Sequence, residues 1–393
     1  MRAVTIIDVG IEAVRGPRPP ASVWPRQEQV KPSDLYPDSA VRARSGPEPT
    51  HLELLYLTIA CDNGVTGRYG PIDPEAAWPI RRWLGAALAG ADPLAGSTLW
   101  DRLQRADRHS RHGHLKMAIS ALDNALWDVR GRTFDAPVWQ LLGGGGRPPL
   151  PAYASTLWTA HDPDTVERVA RGLAAEGFAG QKWFLAYGPA AGPAGLAHNV
   201  ELVERVRAAL GDQAMIMFDA WMGWDLTYAR DWARRVEHLR PAWLEEAFPP
   251  THDMLFTELA RTTTVPLAAG EHLYDRRDVL TYLRCGAVSF LQMDPEWCGG
   301  VTDLVRMCAL ADTFGIPVVP HGHGLHAAIH VIASQSPATC PMVEYLMHIM
   351  PTRHHFEIDP PTPRGGTFGP PQRPGFGIEL DPTKIDSRGP WQP

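Results

Sequence analysis

AMIMFD (214–219), AWLEE (242–246) and PLAAGE (266–271) are three short apolar runs, and each meets an acid where the run ends: Asp219, Glu245 and Glu271. The acids recur at an interval of 26 residues, and the gaps hold amphipathic segments with helical spacing, LTYARDWARRVEHL (226–239) and MLFTELARTT (254–263). Short buried strands alternating with amphipathic helices make a βαβαβ rhythm. In a closed parallel barrel the C-terminal ends of neighbouring strands converge on one face, so these acids would point into one cavity. Carboxylates so close together repel unless a cation sits between them. Three oxygen-donor acids with room left for water or substrate predict a hard divalent ion, Mg²⁺.

The rest of the chain supports a barrel with a second, smaller unit. A (β/α)₈-type barrel takes about 250 residues, and 393 residues leave enough for an additional domain. Eight strand candidates lie between residues 150 and 346: LPAYAS, GQKWF, AMIMF, AWLEEA, PLAAG, VSFLQM, PVVPH and MVEYL. An open dinucleotide-binding sheet would need a glycine fingerprint after its first strand. The GGGG at Gly143–Gly146 instead follows a helical pattern and reads as a helix stop. Before the barrel, an edge-like strand near Ala3–Val14, a hairpin turning at Asp62-Asn63-Gly64 and several helical stretches predict an α+β unit over residues 1–130. The barrel is expected over 131–346, and the Pro- and Gly-rich tail, 347–393, is expected to pack back on the N-terminal unit.

Composition narrows the function classes. A net charge of −7 spread along the chain gives no basic footprint for nucleic acid. No run reaches the length of apolar sequence that a membrane span needs. The cysteines, Cys61, Cys285, Cys298, Cys308 and Cys340, are odd in number and contain no CxxC, which predicts reduced thiols and a cytoplasmic protein. Gly16–Thr50 carries eight prolines and the basic residues Arg18, Arg26, Lys31, Arg42 and Arg44. A loop of that length is usually functional or disordered; here it, and Tyr36 within it, could meet substrate or act only as a lid.

Two further strand ends carry reactive groups. VSFLQMD closes with Asp294 and PVVPHGHG brings His321; a carboxylate beside an imidazole fixes its tautomer and raises its basicity, as a general base requires. Lys182 sits inside the apolar run GQKWF, where a lysine needs an anionic partner. Glu344 on the last strand is a further donor or acceptor. His323 and His326 follow His321 at a spacing that offers no complete zinc set and read as rim or helix-start residues. Trp221, Trp224 and Trp297 read first as packing, with Trp297 also a candidate substrate contact.

Taken together, these elements resemble the enolase superfamily and its mandelate racemase subgroup. The resemblance rests on ALDNALWDVRGRTFDAPVWQLLGG (121–144), the three spaced acids, and the Asp294 and His321 pair. Within the subgroup WLEEAFPP, GEHLYD, DPEWCGG, VVPHGHG and PGFGIEL are similar to the L-rhamnonate dehydratases. The resemblance implies a modified (β/α)₇β barrel under a cap built from both chain ends, with Asp219, Glu245 and Glu271 as Mg²⁺ ligands and Asp294 orienting His321 as base. It also implies a homo-oligomer. Many members carry a Lys-x-Lys pair whose second lysine is a base on the opposite face; here that position is Phe184. A racemase needs a base on each face of the enolate, whereas a dehydratase needs one. The expected activity is dehydration of a small-molecule sugar acid, with Lys182 on the substrate carboxylate and His321, His272 or Glu344 as the acid that releases the hydroxyl. A racemase, epimerase or cycloisomerase is the alternative if another loop supplies the second base, and a non-catalytic sugar-acid binder is a third reading.

Overall fold

The computed structural model describes residues 4–20, 24–36, 49–145 and 149–392. The 37–48 part of the long N-terminal loop, with Arg42 and Arg44, lies outside the described residues, as does Gly146. No described helix is long and apolar enough to cross a membrane.

Strands β1 (Ile6–Pro17), β2 (His51–Cys61) and β3 (Thr66–Ile72) form an antiparallel meander. The β2–β3 turn uses Gly64 at φ 87° and the Asn63 side chain, which accepts the Val65 N–H. Glycine adopts that left-handed conformation without the Cβ clash that other residues meet. The chain then runs through α1 (Pro74–Pro79), α2 (Gly96–Gln104), α3 (Gly113–Thr133) and α4 (Val138–Leu141).

The barrel follows as β4 (Leu150–Ser155), α5 (Pro163–Ala175), β5 (Gly180–Phe184), α6 (Gly192–Leu210), β6 (Met215–Asp219), α7 (Leu226–Val236), β7 (Trp243–Glu245), α8 (Asp253–Ala260), β8 (Leu267–Ala269), α9 (Arg276–Cys285), β9 (Phe290–Leu291), α10 (Gly300–Thr313), α11 (Leu325–Ser334) and β10 (Val343–Leu346). The strands pair in parallel in the order β10-β4-β5-β6-β7-β8-β9. Where PVVPH was expected to be a strand, a single bridge joins Leu291 to Val318. Pro317 and Pro320 bracket that segment and supply no N–H, so a longer ladder cannot form. With this segment in the place between β9 and β10, the architecture is a modified (β/α)₇β barrel under an α+β cap. The helix starts are written in the sequence: Asp162, Asp225 and Asp275 each accept a first-turn N–H.

Helix α3 ties the cap to the barrel, and Ser120 with the buried polar residues of the LDNALWD stretch (122–128) does it. Asp123 accepts the Thr302 N–H and Oγ1–H at 2.9 and 2.7 Å, Asn124 accepts the Val301 N–H at 2.9 Å, and Ser120 accepts the Gly299 N–H at 2.8 Å. These bonds satisfy the otherwise orphaned donors at the start of α10. Burial pushes Asp123 up to about 6 against the pull of Arg130. At the other end of α3, Asp128 accepts the backbone N–H groups of Arg68 and Phe376, both at 2.7 Å. Gly131 leaves no room for a side chain: a Cβ there would lie 2.3 Å from the Gly375 Cα.

The tail touches both units. Its strand β11 (Thr367–Phe368) pairs antiparallel with β4, and β12 (Ser387–Pro390) extends the cap sheet alongside β1. Arg353 adds a polar clamp over the barrel mouth, with Nη1 3.2 Å from Asp73 Oδ1 and Nη2 2.6 Å from Glu296 Oε2.

Candidate active site

Alternation along the strands builds the site in layers. Tyr153, Met217, Trp243, Ala268 and Val319 pack inside the barrel as an apolar floor. Side chains two residues on share the same face of a strand, so Asp219 stands one layer above Met217 and Glu245 one layer above Trp243. The register sets Asp219 directly beside Glu245 across β6 and β7. Glu271 follows Gly270, whose φ of 137° lets the backbone pass close to Gln292.

Lys182 rises from β5 into these acids. Its Nζ donates to Glu245 Oε1 and lies 3.3 Å from Asp219 Oδ2 and 2.9 Å from Glu344 Oε1, with the side chain 1% exposed. Burial alone would depress the ammonium, yet Glu245 and Glu344 outweigh it and hold the pKa well above the usual lysine value. The acids show the complementary effect. Desolvation raises Asp219 to about 6, Glu245 to about 8 and Glu271 to about 7, with Lys182 opposing the rise at Glu245 and Asp219 and His321 opposing it at Glu271. Glu245 is further held by Trp243 Nε1–H at 2.8 Å and Gln292 Nε2–H at 2.6 Å. Glu344 goes the other way: burial would raise it, but Lys182 and His321 win and lower it. It also accepts the Gly322 N–H at 2.9 Å.

On the adjoining wall His321 Nδ1 lies 2.8 Å from Asp294 Oδ2, and Nε2 lies 3.4 Å from Glu271 Oε2. Asp294 also accepts the N–H groups of Gly324 at 3.1 Å and Glu296 at 2.6 Å, so the carboxylate that orients the ring is itself fixed. Burial would lower His321, but Glu271 and the bond to Asp294 raise it to about 10. Trp297 packs between the rings of His321 and His272, with centroids 5.0 and 5.5 Å away, and its buried Nε1–H has no partner among the described residues.

These groups border a cavity of about 180 Å³ at the C-terminal mouth of the barrel. Of the residues singled out from sequence, Lys182, Asp219, Glu271, Trp297 and His321 line it, and so does Trp221, which read first as packing. Glu245, Asp294 and Glu344 are fully buried behind it. His272 faces a neighbouring pocket with Tyr274. Tyr36 is 70% exposed and is not brought to the cavity. His323 lines the mouth, with Nδ1 2.9 Å from Glu296 Oε2.

Sequence reasoning passed over Glu246. It lines the cavity and holds His272, whose Nδ1 lies 3.0 Å from Oε2 and 3.1 Å from Oε1. Strict alternation would turn Glu246 away from its neighbour Glu245. The strand ends at Glu245, however, and Glu246 adopts φ 39°, which swings its side chain to the mouth. Glu246 and Glu271 overcome the burial that would lower His272 and raise it to about 9. The only signal in the sequence was the doubled acid at the strand end.

Residues 164–384 match the family described as enolase C-terminal domain-like, and residues 50–143 match the mandelate racemase / muconate lactonizing enzyme N-terminal domain. The L-rhamnonate dehydratase of Saccharopolyspora erythraea is 34% identical over 350 residues, covering 86% of each chain. Among solved structures, rhamnonate dehydratase from Gibberella zeae complexed with Mg superposes with a TM-score of 0.82 at 25% identity, covering 98% of this chain and 97% of that one. A racemase from Streptomyces coelicolor A3(2) with bound magnesium gives 0.78 at 25% identity, covering 96% and 97%.

Proposed function

The chain belongs to the mandelate racemase / muconate lactonizing enzyme family with an enolase-like C-terminal domain, and on that premise we propose that it is a Mg²⁺-dependent dehydratase converting a sugar acid to a 2-keto-3-deoxy acid. The observation that carries this reading is the pairing of one complete base dyad, His321 with Asp294, with an apolar residue where a second base would stand. Phe184 lines the same cavity, its ring 5.3 Å from the Lys182 ammonium, and has no proton to exchange.

The donor set fits a hard divalent cation. Asp219 and Glu245 are buried and Glu271 is partly buried, all three are oxygen donors raised by desolvation, and Lys182 is the one ammonium among them in the described residues. Such a group gains from a further positive charge. Mg²⁺ held by these acids would supply that charge and polarise the substrate carboxylate. The relatives named above, solved with magnesium, support the choice of ion.

The remaining chemistry belongs to the side chains. Asp294 occupies Nδ1 of His321, leaving Nε2 to take the proton from C2 of the substrate. The charge on Glu271 is the main cause of the high His321 pKa, so offsetting it leaves a neutral imidazole ready to accept that proton. Lys182 lies on the side where enediolate charge would develop and stabilises it electrostatically. The imidazolium then returns its proton to the C3 hydroxyl, which departs as water, and the enol product tautomerises to the 2-keto-3-deoxy acid. Glu344, held anionic by Lys182, positions that lysine rather than donating a proton.

The test is a sugar-acid panel with Mg²⁺, read by semicarbazide absorbance of 2-keto-3-deoxy products, on wild-type and His321→Asn protein. The wild type is expected to turn over at least one acid. The variant should lose at least a thousandfold in kcat while binding Mg²⁺ normally. Retained activity in His321→Asn removes the base assignment, and α-proton exchange in deuterated water without loss of water transfers the chain to the isomerases of the family.

A further inference from the structure

We propose a second metal site, for a borderline transition ion such as Zn²⁺, built by His326, His354 and Glu357 where the C-terminal tail crosses the barrel. None of the three lines the cavity at the barrel mouth, so the site stands apart from the reaction and does not depend on the dehydratase reading. The run after His321 holds no complete zinc set, and the tail completes it. His326 lies in the first turn of α11. The tail brings His354, which caps the short helix α12 (Met350–Arg353), and Glu357 at the end of HHFE (354–357).

The donors are already close to the corners that an ion needs. His326 Nε2 lies 2.9 Å from Glu357 Oε2 and His354 Nδ1 lies 2.8 Å from Glu357 Oε1. One donor atom from each residue lies within 4.8 Å of the other two, and all three side chains are buried. A tetrahedral ion with bonds of about 2.0–2.1 Å keeps its donors about 3.3 Å apart, so a shift of roughly half an ångström admits it. The two rings stand at 86° with centroids 4.7 Å apart, and their nitrogens reach the carboxylate from different directions. Glu357 is itself fixed: it bridges to Leu380, and its carbonyl accepts the Lys384 Nζ at 2.9 Å. A ligand held this way is set in place before the ion arrives.

Tyr56, in β2, adds an independent observation. Its side chain is fully buried, and its hydroxyl has no hydrogen-bond partner among the described residues. Beside burial itself, the charge that acts on it most strongly is that of Glu357. An orphaned buried hydroxyl costs stability. Structural zinc is four-coordinate, and a water in the fourth position would give that hydroxyl its partner.

The donor types choose the ion. Two imidazole nitrogens with one carboxylate oxygen suit Zn²⁺, whereas Mg²⁺ prefers oxygen throughout and is matched by the acids at the mouth. On binding, each imidazole that now donates to Glu357 must move its proton to the other ring nitrogen. For His354 that nitrogen is Nε2, which is buried with no partner among the described residues. A missing outer partner weakens a metal site about 10–100-fold. The expected Kd for Zn²⁺ is therefore about 1 µM, weaker than the tightest structural zinc sites. The ion would join α11 to the tail beside Arg353, which reaches Asp73 of the cap and Glu296 of the barrel.

The experiment titrates Zn²⁺ by calorimetry into the full chain, stripped with EDTA, dialysed and supplied with saturating Mg²⁺. The wild type should take up one equivalent that Mg²⁺ does not suppress, with a Kd of about 1 µM or below, and should melt several degrees higher when loaded. Glu357→Gln should weaken that uptake at least about a hundredfold, more than an outer partner is worth. Glu271→Gln, among the acids at the mouth, should leave it unchanged. X-ray absorption at the zinc edge of the loaded wild type should show two imidazoles on the ion, a reading that stands even where a variant fails to fold. Absence of uptake in Mg²⁺, uptake that Glu357→Gln leaves unchanged, loss of uptake in Glu271→Gln, or oxygen-only coordination each overturns the site, and none of these bears on the dehydratase reading.

Discussion

Replacing Lys182 by Met keeps the length of the side chain and removes the one ammonium from a buried cluster. Its Nζ is 3.3 Å from Asp219 and 2.9 Å from Glu344 and donates to Glu245. Removing one partner from a buried ion pair costs about 3–5 kcal/mol, because the stranded charge stays desolvated. The cost should depend on pH. Asp219, Glu245 and Glu271 have folded pKa values of about 6, 8 and 7, above their ordinary values of 3.8, 4.5 and 4.5. The folded state therefore binds more protons than the unfolded state between about pH 4 and 8. Stability of the metal-free protein falls as pH rises through that window, by up to about 1.4 kcal/mol per pH unit for each proton involved. In Lys182→Met the carboxylates hold their protons longer still. The gap from wild type should be small at pH 5 and reach about 3–5 kcal/mol at pH 8 in EDTA. Saturating Mg²⁺ should narrow it, since the ion replaces the lost charge at two of the acids. Urea unfolding followed by circular dichroism, at both pH values and with EDTA or Mg²⁺, measures all four gaps. A gap below about 1 kcal/mol at pH 8 in EDTA, or one that Mg²⁺ leaves unchanged, refutes the account of the cluster.

Acid stability should also report His330, which is fully buried, accepts the Trp139 N–H at Nδ1 and is pushed by burial down to about 3. The unfolded chain takes up its proton near pH 6.5 and the folded one does not, so stability is lost as pH falls through that window; His330→Asn should flatten the loss by up to about one proton's slope in urea titrations from pH 7 to 4. Asp128→Ala strands the N–H groups of Arg68 and Phe376 that Asp128 accepts. At about 1–3 kcal/mol for each buried unpaired donor, the variant should melt several degrees lower and expose the tail near Phe376 to protease first. Uniform cleavage along the chain would show that the tail is held by other means.

What repeats in the chain was legible in its sequence. The interval between Asp219, Glu245 and Glu271 reflects one strand and one helix per barrel unit, and alternation along β6 and β7 then fixes which side chains face inward. Asp294 and His321 were legible on the same ground. What departs from the repeat was not. Glu246 is turned into the mouth by one left-handed residue at the end of a three-residue strand, a conformation that the doubled acid in WLEE does not announce. The 317–319 segment read as a strand because its valines fit one, and the prolines on either side limit it to a single bridge. The apolar part of the cavity wall, Leu157, Trp158 and Leu346, was hidden for a different reason. Leu157 and Trp158 follow the first barrel strand and Leu346 ends the last, so they become neighbours only when β10 pairs with β4 and the barrel closes. Tyr36 illustrates the converse: its place in a long, Pro-rich loop suggested a substrate contact, while the described fold leaves it at the surface. The proposed reaction centre is thus carried by local, periodic signals, whereas the apolar wall of the cavity is assembled from the two ends of the barrel and depends on closure. Substitutions at Leu157, Trp158, Leu346 and Ile349 can accordingly reshape that wall while the acids and the histidine dyad stay where the repeat puts them.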